Sequence, residues 1–266
     1  MTTYFAEDDF IDESNIQTAD EISGLTFQEI KQKDGGYSDY VKQFWTYALN
    51  IEYLYEQKEE LVASVFDRLN RNGEPLTRQE LRNAKYADSK LISCIKELTQ
   101  EQFWNDKLSR LKSVRMEDIE FISELLFLVM EGKILESSQD VLDNLYEKHK
   151  NSQEGIDSAR KEFEEIIVFI EALDLDYTVN KRLCWTTHLY SLFSLAWQLH
   201  RMDISPSSIK KAIGDFYTEY FSRGAQYTGA LEKYKEASSS RTRSDTQRRN
   251  RLSALLDYCQ ICIDKK

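Results

Sequence analysis

Leu183–Leu199, LCWTTHLYSLFSLAWQL, is the stretch on which the reading of the fold turns. It runs 17 residues without a formal charge, marginal in length for a bilayer span. Thr186, Thr187, His188, Ser191, Ser194 and Gln198 are scattered through it, which is too polar for lipid. Its apolar residues fall nearly all round a helix, so the stretch predicts a buried core helix, central to the second half of the chain.

The segments on either side repeat helical spacing. Ile156, Phe163, Ile166, Ile167, Ile170 and Leu173 predict a long helix with an acidic outer face. Ser205-Pro206 supplies a cap and a first-turn proline for a helix carrying Ile209, Ile213, Phe216 and Tyr220. Ser244-Asp245-Thr246-Gln247 is a capping-box pattern opening a helix through Leu252, Leu255, Leu256 and Cys259. Upstream, Met116–Glu131 is amphipathic and stops at Gly132, and Ser138 is placed to cap a helix through Tyr146. A helix starting near Asp88 carries Leu91, Ile92, Ile95 and Leu98, and another with Leu61, Val65 and Leu69 stops at Asn72-Gly73. One segment departs from this period. Trp45, Tyr47, Leu49, Ile51 and Tyr53 alternate with Thr46, Ala48, Asn50 and Glu52, which predicts a strand at about 45–53. The expected fold class is therefore mainly α, a bundle-like helical body with a small N-terminal β element.

With 2 prolines and 9 glycines in 266 residues, the chain is neither collagen-like nor linker-like, and a sandwich of many short turns is excluded. A mean hydropathy of −0.58 argues against an integral membrane protein. The first thirty residues lack the basic start and apolar run of a signal peptide, so a cytoplasmic location without membrane association is expected. The net charge of −11 is unevenly placed: residues 1–30 hold eight acids and no Lys or Arg, leaving −3 for the remainder. At the other end Arg241, Arg243, Arg248, Arg249 and Arg251 face one acid, Asp245. The expected organisation is an acidic, disordered head at 1–22, a region with a strand and helices at 23–150, and a helical region at 151–266. The soft boundary near Asn151–Gly155 also allows the last two to run on as one domain.

Few residues suggest metal or nucleophilic chemistry. Cys94 and Cys184 lie in apolar helical patterns, and Cys259 and Cys262 form a single pair with no second pair to complete a zinc site, so core packing is expected. His149, His188 and His200 are far apart, and no phosphate-binding glycine loop or hydrolase elbow is present. No catalytic residue and no metal site are expected.

One polar segment stands out, Val65–Ala84, VFDRLNRNGEPLTRQELRNA. It reads as a helix, a glycine-bearing corner, and a second helix opened by a Thr77/Glu80 capping box. Arg68, Asn70 and Gly73 belong to the corner, and Gln79, Glu80, Arg82 and Asn83 to the first turns beyond it. Guanidinium and amide groups beside a helix start suit an anion. The plainer reading is a structural corner whose polar groups cap helix ends and pair with nearby carboxylates.

The segment resembles the distal signature of the GmrSD-type restriction-endonuclease N-terminal domains, a family related to the ParB/sulfiredoxin-like fold. The shared pattern is a hydrophobic-Phe-acidic-Arg-hydrophobic-Asn helix end, a Gly corner, Leu-x-x-Gln-Glu and Arg-Asn-Ala, met here from Phe66 to Ala84. Gly24–Phe27 and the 45–53 segment are similar to the family's approach to that corner. Arg115–Glu120 resembles the helix that follows, and Arg248–Leu252 the domain's usual ending. The family's Asp-Gly-Gln-Gln-Arg motif, tied to nucleotide hydrolysis or sensing, is not found, the one Asp-Gly being Asp34-Gly35 before Gly36-Tyr37. Nor is the His-Asn-His-type nuclease domain that many members carry. The resemblance implies the distal half of a nucleotide-sensing regulatory domain in a modification-dependent restriction or anti-phage system. Arg68, Asn70, Gly73, Gln79, Glu80, Arg82 and Asn83 would form half of a nucleotide or anion site, completed by a second chain carrying the missing half-domain, a nuclease, or both. No cofactor is expected for this chain alone, and a nucleoside triphosphate only with that partner. The competing expectation is a helical nucleic-acid-binding or protein adaptor module without nucleotide dependence, with Arg241, Arg243, Arg248, Arg249 and Arg251 meeting DNA phosphates.

Overall fold

Leu183–Leu199 does form the central helix, although its first residues do something else. In a computed structural model of the chain, Lys181–Cys184 is a short 3-10 turn, Trp185 is extended, and the α-helix proper runs Thr186–Arg201. The structure describes residues 26–32, 38–48, 75–111, 113–178 and 180–261. They belong to two compact units, Met1–Leu69 and Asn70–Lys266.

In the first unit the described elements are α1 (Phe27–Gln32) and α2 (Ser38–Thr46). Phe27, Phe44 and Trp45 cluster between them, with Phe27 and Phe44 centroids 4.8 Å apart. This corrects the start of the expected strand. Trp45 and Thr46 are the last residues of α2, and Tyr47-Ala48 have no regular structure. Tyr40, Val41, Phe44 and Trp45 also fit a period of three to four, and that period governs here, with the Thr46 hydroxyl donating to the Lys42 carbonyl one turn back. Positions 49–53, the 1–22 head, the helix around Leu61–Leu69 and the Asn72-Gly73 corner lie outside the described residues.

Nine helices follow among the described residues of the second unit. They are α3 (Arg78–Lys85), α4 (Lys90–Thr99), α5 (Glu117–Glu131), α6 (Gln139–His149), α7 (Gln153–Ala172), α8 (Thr186–Arg201), α9 (Pro206–Phe221), α10 (Ala230–Ala237) and α11 (Asp245–Tyr258). No strand occurs among the described residues, and no described helix is long and apolar enough to cross a membrane. Four of these starts are capped by a side chain, while Ser205 stands at the N-cap of α9 without a side-chain cap bond. Ser89, Ser138 and Ser244 accept from the amides of Ile92, Val141 and Gln247. At α3 the full box forms: the Thr77 hydroxyl accepts from Glu80 N, and the Glu80 carboxylate accepts from Thr77 N. Thr77→Ala is expected to lower stability by about 1 kcal/mol, seen as a lower urea midpoint at unchanged slope.

The helix α8 is buried nearly all round, from Leu189 through Leu192, Phe193, Leu195 and Ala196 to Leu199. It packs against α5, α7 and α11. Its hydroxyls are satisfied within the helix, Ser191 donating to the Thr187 carbonyl and Ser194 to that of Ser191, so burial leaves neither unpaired. His188 is also inside. Its ring stacks on Tyr234, lies edge-on to Phe221, and bonds the Tyr234 hydroxyl through Nδ1 at 2.9 Å. On α7, Ile156, Phe163, Ile166 and Ile170 form the inner face. The connection at 150–152 is short, and α5 and α7 pack together across it. Gly132 ends α5 at φ +64, where an added Cβ would sit 3.3 Å from Arg201 Nη1.

Candidate functional site

The polar half of α3 faces inward. Gln79 and Arg82, three residues apart, share one face and are 1% and 3% exposed. Gln79 Nε2 donates to the Tyr146 hydroxyl at 2.9 Å, and its Oε1 accepts from Arg82 Nη1 at 2.6 Å. Arg82 Nε donates to Asp143 at 2.7 Å, Nη2 to Gln139, and Nη1 also approaches Glu120 at 3.4 Å. Each of its three nitrogens is thus engaged by α3, α5 or α6. Glu80 is held by the capping box and pairs with Arg115 at 3.5 Å. Asn83 is half-buried with Oδ1 unpartnered. Arg68, Asn70 and Gly73 lie outside the described residues. What is described of the signature therefore fastens α3 to α5 and α6.

The arginines of the C-terminal segment divide in the same way. Arg251 is fully buried, and its three nitrogens donate to Ser191 Oγ, the Ala237 carbonyl and the Thr242 carbonyl. Arg248 is 4% exposed, lies 3.7 Å over the Tyr190 ring, and donates to the Leu135 carbonyl and to Glu124. Arg243 is half-exposed and bonds Glu120, Glu124 and Ser137, all through Nη2. Arg249 is exposed, reaching the Ile134 carbonyl and Asp245, and Arg241 is exposed at φ +48. A flat basic patch is not what these residues form, since Arg248 and Arg251 have no surface from which to reach a phosphate backbone.

Glu124 organises this region and was not singled out from sequence. Burial alone would raise its carboxyl pKa, but the Arg248 and Arg243 guanidinium groups outweigh that and hold it below the usual carboxylate range. The legible signal was an acid inside the apolar run Phe121–Val129, where an unpaired charge is not tolerated.

The start of α3 and the basic segment meet. A cavity of about 310 Å³ is walled by Thr77, Arg78 and Gln79 from α3, Arg115, the α5 residues Glu117, Glu120 and Glu124, Thr186, Thr187 and Tyr190 from α8, and Thr242, Arg243, Arg248 and Arg251. Five arginines face three carboxylates around it. Guanidinium groups in such a wall can orient an anionic group, and Glu120 and Glu124 position Arg82, Arg243 and Arg248. No cluster of three or more His, Cys, Asp or Glu able to hold a metal occurs among the described residues. Burial pushes the Cys94 and Cys259 thiols up to about 11, which disfavours the reactive thiolate. His149 and His200 pair with Glu131 and Glu165, away from the cavity. No protein-family model, curated protein or solved structure matches the chain.

Proposed function

We propose that the chain is a non-catalytic, regulatory component of a modification-dependent restriction or anti-phage system, the distal half of a nucleotide-sensing domain. One observation supports this reading above the others. Three described segments that carry the resemblance to GmrSD-type domains, Thr77–Ala84, Arg115–Glu120 and Arg248–Leu252, each contribute to the wall of the same cavity. A second chain supplies the Asp-Gly-Gln-Gln-Arg segment, and a nucleoside triphosphate is bound between the two. The adaptor alternative is less favoured, because Arg248 and Arg251 are buried and Arg243 is tied to Glu120 and Glu124.

The test is co-expression with the product of the gene immediately upstream. The expected result is a co-purifying complex that binds nucleoside triphosphate, while the purified single chain turns none over. An upstream product lacking the motif and failing to co-purify sinks the split-domain reading. Turnover by the single chain sinks the non-catalytic one.

A further inference from the structure

We infer that α3 is an electrostatic strap along one wall of the cavity, which lifts off α5 and α6 while the helices beneath stay folded. Different forces hold α3 and the helix that follows it. The only buried side chains of α3 are Gln79 and Arg82. Of its two apolar residues, Ala84 is exposed and Leu81 half-buried, outside the hydrophobic core. Apolar anchoring begins just past the helix, where Tyr86 stacks on Tyr146 at 5.6 Å. It continues through Leu91, Ile92, Ile95 and Leu98 of α4.

Charges hold α3 in place of apolar contacts. Arg78, Arg82 and Lys85 stand at helical spacing and form a basic stripe along it. Asp140, Asp143 and Glu147 form a matching acidic stripe on α6. Arg78 Nη1 meets Asp140 and Asp143, each at 2.9 Å, Arg82 Nε meets Asp143 at 2.7 Å, and Lys85 Nζ reaches Glu147 at 3.3 Å. The start of α3 is tied by polar groups too, Arg115 Nη2 donating to the Pro75 carbonyl at 2.7 Å. The Arg78 and Lys85 pairs are open to solvent and therefore screened by salt. Lifting α3 withdraws none of its apolar side chains from the core, and it returns Arg82 to water, which recovers the desolvation cost of that charge. The turn at 86–88, before α4, is the hinge. Since Thr77, Arg78 and Gln79 wall the cavity, lifting opens it and bares the acidic stripe of α6.

These contacts lie within the chain, so failure of co-purification leaves the strap intact. Its test is hydrogen–deuterium exchange of the full chain, read by mass spectrometry in peptides covering α3 and α8. Raising NaCl from about 0.1 M to about 1 M is expected to speed exchange about tenfold in α3 and less than about twofold in α8. An Asp143→Asn/Glu147→Gln double variant keeps side-chain shape at two half-exposed positions. At about 0.1 M NaCl it is expected to show the α3 rate that the wild type reaches at about 1 M, with little further response to salt. Glu97→Gln removes an ion pair with Arg160 elsewhere on the surface and is expected to leave α3 exchange unchanged. The strap is overturned if α3 exchanges as slowly as α8 in both salts, if salt leaves its rate unchanged, or if α3 and α8 accelerate together. A full salt response in the double variant, or equal acceleration of α3 by Glu97→Gln, overturns it as well.

Discussion

Arg251→Ala is expected to destabilise the Asn70–Lys266 unit by about 3–5 kcal/mol, lowering the urea midpoint without changing the slope. Arg251 is the one fully buried guanidinium among the described residues, and all its acceptors are neutral. It ties α11 to Ser191 at 2.8 Å on α8, and to the carbonyls of Ala237 at 2.6 Å and Thr242 at 2.7 Å. Truncation leaves the buried Ala237 carbonyl unpaired at a cost of about 1–3 kcal/mol, frees the part-buried Thr242 carbonyl, and opens a void in the core. The variant also removes a charge that burial disfavours, which offsets part of the loss. Arg251→Met separates these contributions. It fills most of the space and drops the charge, so a loss of about half that of the alanine variant is expected. If methionine costs no more than a surface substitution, the three hydrogen bonds are not what holds the α10–α11 hairpin to α8.

Between about pH 7.5 and about pH 5, the wild-type chain is expected to lose about 2 kcal/mol of stability that a His188→Gln variant keeps. The His188 ring is 4% exposed among Trp185, Tyr217, Tyr220, Phe221 and Tyr234, and it occupies the first turn of α8. Burial pushes its pKa down to about 3, and the charges of Arg251 and Arg182 push the same way. A helix start disfavours the imidazolium as well. In the unfolded chain the ring titrates near its ordinary value of about 6.5. Below that pH the unfolded state takes up a proton that the folded state refuses. Stability is therefore complete above about pH 6.5 and falls by about 1.4 kcal/mol per pH unit until the folded pKa is approached. Glutamine is neutral throughout and can still pair with Tyr234. Urea midpoints at both pH values, for both proteins, give the difference. Equal losses would mean that His188 accepts its proton within the fold.

Helix positions were legible because their determinants are local. Thr77, Ser138 and Ser244 cap the helices that their spacing announces, Ser205 takes its N-cap place without a side-chain bond, and Gly132 stops α5. The Trp45–Thr46 end of the alternating segment was misread because a period of two and a period of three to four overlap there, and short aromatic runs satisfy both. The burial of Arg248 and Arg251 was missed for a different reason. Arg248 and Arg251 stand three apart, on the same face of α11 as Leu252 and Leu255, and that spacing already placed them toward the core. Counting charge along the chain hides this, because a guanidinium goes inside only where acceptors await it.

Those acceptors come from distant parts of the chain. Glu124 meets Arg248 across 124 positions, Ser191 meets Arg251 across 60, and Gln79 meets Tyr146 across 67. Periodicity and capping act over three or four residues, so the order of helices and their buried faces could be read directly from the sequence. Burial of a charge and the shape of a cavity depend on which groups arrive from other helices. For this reason the meeting of Thr77, Glu124, Thr187 and Arg243 around one cavity emerges only when α3, α5, α8 and α11 pack together.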